Sequence, residues 1–167
     1  MPVESLQATI QALGLPVLFG VFVLKGALVG KVFPTSVFLP GYVVASGVTL
    51  AGAVVVVVLV TIAHIIGQLA VYAGIERHGH AFLGSIPYAD FDADSERYRR
   101  LDRWFERHGA VAIVGTNVVP WSRGVIAIPA ALSSYPMTRY ACHVSAATLV
   151  YHSLYVGAAV AGLAILA

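Results

Sequence analysis

From Val32 to Ile75 the chain carries no Asp, Glu, Lys or Arg. A stretch of this kind cannot coat a soluble globule, and about 18 or more consecutive apolar residues already read as a membrane span. After Arg107 only Arg123 and Arg139 are charged, whereas acids and bases crowd together between Glu76 and Arg107. The whole composition agrees: 59% of residues are apolar and 11% charged, with a mean hydropathy of +0.84. A soluble domain has about 45–50% apolar and about 25% charged residues. The expectation is a multi-pass integral protein of the cell membrane.

The same composition excludes other classes. A net charge of +2 with no basic run gives nucleic acid nothing to bind. The single cysteine, Cys142, rules out an internal disulfide or a cysteine-based metal cluster. The opening residues MPVESLQATIQALG lack the basic start of a signal peptide and read as the beginning of the mature chain.

The hydrophobic segments are not alike. An N-terminal helix over residues 5–30 is interrupted by Lys25 and either spans or lies partly in the interface. Residues 32–49 are apolar but broken by Pro34, Pro40–Gly41 and Gly47; residues 50–75 form a continuous span. A polar connector, 76–108, precedes a second Pro-broken stretch, 110–136, and a last span, 138–166. The order of broken segment and span therefore repeats, although residue identity between the halves is thin. Irregular backbone at membrane depth survives only where protein or a water-lined cavity satisfies its polar groups. Half-helices of about ten residues reach only about 15 Å. Each broken stretch is therefore expected to be a re-entrant hairpin, in an all-α membrane fold of two inverted-repeat halves. Paired breaks of this kind are the best sequence pointer to a transporter's central site.

Within the connector, Asp92, Asp94 and Ser95 are helix-start signals and Gly109 a stop. Tyr98, Leu101, Trp104 and Phe105 fall on one face, opposite Arg99, Arg100, Arg103 and Glu106. That predicts an amphipathic surface helix, on the cytoplasmic side by its arginines; a plain solvated connector is the alternative.

Arg123 stands between Pro120 and Pro129 among apolar and small residues. Burying an arginine at mid-membrane costs about 2.5–3.5 kcal/mol on insertion scales. One reading lets it snorkel to headgroups from a hairpin end. The other makes it an anion site: guanidinium matches phosphate with two parallel bonds, and broken helices turn free N–H groups toward the same spot. Asn117, Trp121 and Ser122 are further candidate donors. A lipid phosphate is the anion most available inside a bilayer.

Other polar residues are weaker candidates. His64 and Gln68 lie four apart on one helical face and Ser145 and Thr148 three apart, spacings that helix packing also explains. His64 is a candidate proton-titrating group. His143 and His152 are too far apart for one face and lack a third ligand, so no metal is expected. Small residues of the last span (Ala146, Ala147, Gly157, Ala158, Ala159, Gly162) point to close helix contacts within the chain or in a homo-oligomer. No catalytic constellation is present: GALVGKV lacks the spacing and the Ser/Thr of a phosphate loop, and Ser122 has no histidine at a spacing that makes it a nucleophile. Neither an enzyme nor a cofactor is expected.

The stretch WFERHGAVAIVGTNVVPWSRGVIAIPAALSSYPMTRY resembles the second half of the DedA superfamily, also called the VTT or SNARE-associated Golgi domain. Aligning Pro120 on the family proline puts Arg123 on its second arginine, Pro136 on a later proline and Tyr140 on an aromatic. FLPGYVVASG resembles the family's first hairpin, and GQLAVYAGIERHG its GDxxGYxxGRxxG stretch, with Tyr72 and Gly79 in place. The resemblance covers roughly residues 30–165. Its departures fall on charged positions. Tyr42, Gln68 and the region of Gly30 stand where the family has acids, Asn117 where it has its first arginine, and a proline common at Ala127 is found at Pro129. This is the pattern of a divergent member, and the lost acids put proton coupling in doubt.

The expected function is therefore a flippase- or scramblase-like lipid transporter for phospholipid or polyprenyl phosphate. Arg123 would bind the phosphate, with Asn117, Trp121 and Ser122 beside it, and Pro40, Gly41, Tyr42, Pro120 and Pro129 would shape the path. The alternatives are a non-transporting scaffold that docks a partner through Arg99, Arg100 and Arg103, and an ion-coupled small-solute transporter.

Overall fold

A computed structural model describes residues 3–29, 35–85, 96–118, 125–133 and 135–166. Among them the chain is all helical: α1 Val3–Gly26, α2 Thr35–Ser46, α3 Leu50–His78, α4 His80–Leu83, α5 Glu96–Val118, α6 Ala127–Leu132 and α7 Met137–Leu166.

Two helices, α3 and α7, are long and apolar enough to cross a membrane. The first half of α3 holds a run of valines, Val54–Val58, a composition that in water favours a strand. In hydrocarbon a lone segment must satisfy every backbone group within itself, and only a helix does so. Thr49 starts α3 by accepting a hydrogen bond from the Gly52 N–H at 3.2 Å. Gly79 stops it in a left-handed turn, φ 54°, its N–H returning to the Ile75 carbonyl. The outward faces are apolar: Val54, Val55, Val58, Ile62 and Ile66 on α3, Leu149, Val150 and Leu154 on α7. Such a face is a liability in water and the normal boundary against lipid.

The long helices run antiparallel. Thr61 meets His152, and further along α3 Gln68 meets Tyr140, earlier in α7. Around this pair α1 packs on α3 and α5 on α7, while α2 lies on α7 and α6 on α3. One apolar cluster joins Leu18 and Phe22, Leu39 and Val43, Val56 and Val60, and Val156. A second joins Val71 and Ile75, Phe105, Ile113, the Ile126–Ala131 segment and Val144. The crossing of α1 and α3 is unusually close. A Cβ on Gly26 would stand 2.1 Å from the His64 carbonyl oxygen, and one on Gly67 2.1 Å from that of Val23.

Three local expectations are corrected. The break expected at Pro40–Gly41 is absent: α2 runs through both residues. Proline there removes one helical N–H, and in a packed membrane helix its neighbours tolerate that loss. Pro129 does not break its segment either; it is the third residue of α6, in the first turn, where no intrahelical N–H donor is required. Gly109, expected as a stop, follows a kink at His108 (φ −130°, ψ 23°), after which α5 continues to Val118. The amphipathic face also divides: Phe105 is fully buried, whereas Trp104 is exposed and stacks on His108.

Candidate functional site

The two apolar clusters are separated by a layer of buried polar side chains at the centre of the long helices. His64 lies fourteen residues from each end of α3, since 64 − 50 and 78 − 64 are both 14. His152 lies fifteen residues from the start of α7 (152 − 137) and fourteen from its end (166 − 152). At about 1.5 Å per residue each imidazole is roughly 21 Å from the ends of its helix, so the two meet near mid-height.

Their rings pack edge to face, centroids 5.7 Å apart and planes at 85°. Phe22 of α1 closes over both, at 6.3 Å from His64 and 5.1 Å from His152. The Thr61 hydroxyl and the Nδ1 of His152 share a hydrogen bond of 3.0 Å. Thr148, one turn before His152 on α7, is fully buried and its hydroxyl has no hydrogen-bond partner among the described residues. One turn further along α3 the Tyr140 hydroxyl donates to Gln68 Oε1 at 2.8 Å. The Tyr140 ring stacks on Tyr72, centroids 5.1 Å apart, and the Tyr72 hydroxyl donates to the Tyr135 carbonyl. His64 is 2% exposed and Gln68, Thr148 and His152 are 0% exposed, so the layer is sealed.

Of the residues singled out by sequence, His64 and Gln68 take part in this layer. Arg123, Pro120, Trp121 and Ser122 lie outside the described residues. Asn117 is in the last turn of α5, with its side chain outside them. Pro129 is buried in α6. Pro40 and Gly41 are in α2 with Tyr42, whose ring covers Gly14 and whose buried hydroxyl has no partner among the described residues. The structure thus separates the α2 residues from the α6 proline: α2 packs with α1 and α7, α6 with α3 and α5.

Sequence reasoning missed His152, Thr61 and Tyr140 as one set with His64. The signal was depth: a histidine at the midpoint of each span. Distance along the chain, which separates His143 from His152, was the wrong measure for a contact made between helices. Among the described residues no group of three or more His, Cys, Asp or Glu is placed to hold a metal ion.

Comparison with known proteins gives a match to the family model described as the VTT domain, over residues 33–160. Neither the curated proteins nor the solved structures give a match.

Proposed function

Because the chain belongs to the VTT domain family, whose members are membrane proteins, we propose that it moves phosphate-bearing lipids from one leaflet to the other. One observation carries the reading. The helices before and after α4 pack as two interlocked sets: α2 of the first set lies on α7 and α6 of the second on α3, while α3 and α7 run antiparallel. Interchanging the sets leaves the packing pattern unchanged. Antiparallel halves that exchange short helices are the arrangement expected of an inverted repeat, the frame in which secondary transporters hold a central site and rock between its two openings.

Within that frame Arg123 belongs to the link between α5 and α6. A guanidinium there would hold a lipid phosphate by paired charge-assisted bonds, with Asn117, Trp121 and Ser122 as neighbouring donors. From the other set, Pro40, Gly41 and Tyr42 of α2 would shape a separate stretch of the path, where the buried Tyr42 hydroxyl would be a polar group. Pro120 would keep the link from closing into a helix. No bond is made or broken, so the reading needs no cofactor and no catalyst. The test is exchange of labelled phospholipid between leaflets in vesicles holding the purified protein. Acceleration that Arg123→Ala removes supports the reading; no acceleration, or an unaltered rate in that variant, defeats it.

A further inference from the structure

We propose that His64 and His152 form a single proton-binding site at the seam between the long helices, closed in this structure, and that loading it opens the seam. The inference stands apart from the lipid reading. An ionisable side chain inside a span is a functional-site hypothesis by default, and here two meet at mid-height from different helices. A purely structural contact at this depth would be made at least cost by leucine or phenylalanine, since a buried imidazole must still satisfy its ring nitrogens.

The surroundings fit one added proton rather than two. An imidazolium donates from both nitrogens and needs an acceptor for each. Two threonine hydroxyls stand in the layer: Thr61, already on His152, and Thr148, fully buried with its oxygen uncommitted among the described residues. The hydrogen bonds between Thr61 and His152 and from Tyr140 to Gln68 set the register of α3 against α7, and Thr148 falls at about the level of His64. A second proton would put two cations side by side with no counter-charge.

Among the described residues the site has no counter-charge. From α1 it faces Phe22, with Lys25, half-buried, one turn on. From α3 it meets Thr61 and Gln68, and the first carboxylate beyond them is Glu76, exposed in the last turn. From α7 it meets Thr148 and the Tyr151 ring at 5.9 Å from His152; α7 has no acid. Neither α2 nor α6 has a charged residue, and the charged residues of α5 all precede its kink. With no carboxylate of the described residues placed beside it, an imidazolium in this sealed layer is held at least cost where water reaches it. Proton uptake therefore favours an arrangement with α3 and α7 parted, and the closed packing favours the neutral pair. The coupling is reciprocal.

The test is a titration that requires no lipid movement, so its failure and that of the lipid reading are separate results. The protein, with 15N-labelled histidine and with His78, His80, His108 and His143 changed to Gln, is followed in lipid nanodiscs from pH 8 to pH 5. The proposal predicts uptake of one proton by the pair, and a different midpoint for the remaining ring in His64→Asn and in His152→Asn. It also predicts at least a tenfold loss of amide-exchange protection over Thr61–Gln68, after correction for intrinsic rates, on the acid side of the midpoint. Should the Gln-substituted chain fail to fold, the unsubstituted chain gives the same reading, with the signal of each ring identified by its loss in the corresponding Asn variant. Both rings neutral down to pH 5, independent titrations with unchanged midpoints, or uptake with unaltered protection would each overturn it.

Discussion

At the scale of single residues, the tightest point of the molecule is the crossing at Gly26 and Gly67, where the backbones of α1 and α3 touch. Small residues let membrane helices approach this closely, and dispersion and packing replace the hydrophobic drive that lipid removes. Gly67→Ala is expected to lower stability by about 1–3 kcal/mol, the usual cost of overpacking, measured by unfolding in mixed micelles. Gly157→Ala, where an added Cβ meets nothing within 4 Å, is the control and should be near neutral; equal effects would show that the crossing is not tight. The buried Tyr140–Gln68 bond gives a second expectation: Tyr140→Phe should cost about 0.5–1.5 kcal/mol, and a double-mutant cycle with Gln68→Leu should return a coupling of that order. These contacts were only half legible. Gly67 sits in a sequence of small and apolar residues that marks a helix, but which glycine meets which depends on rotation about the axis. Gln68 and His64 share a face by spacing alone, whereas the partners on α7 come from the antiparallel register.

At the scale of elements, two long apolar helices stand where continuous apolar segments were expected, because charge-free length is a strong signal and lipid leaves the backbone no alternative to helix. The prolines were misread. Pro40 and Pro129 were taken as breaks, yet one lies within a continuous helix and the other in a first turn. A proline removes a single donor, and its consequence depends on position in the helix and on packing, neither of which the residue type reveals. α5 shows the same limit in reverse, since the glycine expected to end it follows a kink between a charged half and an apolar half. Phe105 ties the charged half to the bundle while Trp104 points away. If the kink marks the membrane boundary, as amphipathic and then apolar sequence requires, Trp104 lies at headgroup level. In a Trp121→Phe background its fluorescence should be quenched strongly by lipids brominated near the carbonyl and weakly by those brominated at the chain end. Stronger quenching from the chain end would place α5 deeper than this.

At the scale of the whole molecule, α3 and α7 run antiparallel with α2 lying on α7 and α6 on α3, in a chain of the VTT domain family. The sequence suggested a repeat of broken segment and span; the breaks at Pro40 and Pro129 are absent, and the packing of α2 on α7 and of α6 on α3 was not legible because it is a property of the assembled bundle. The histidine layer lies midway between the ends of these helices, and in the proposed function Arg123 binds the lipid phosphate. The central claim is that the headgroup phosphate is what the protein handles. Vesicles reconstituted with the purified chain, carrying either a fluorescent phospholipid or a fluorescent glucosylceramide with the same acyl chains, test it in one assay of leaflet exchange. The account predicts faster exchange of the phospholipid, little change for the phosphate-free lipid, and loss of the difference in Arg123→Ala. Equal acceleration of both lipids, or acceleration of neither, would contradict it.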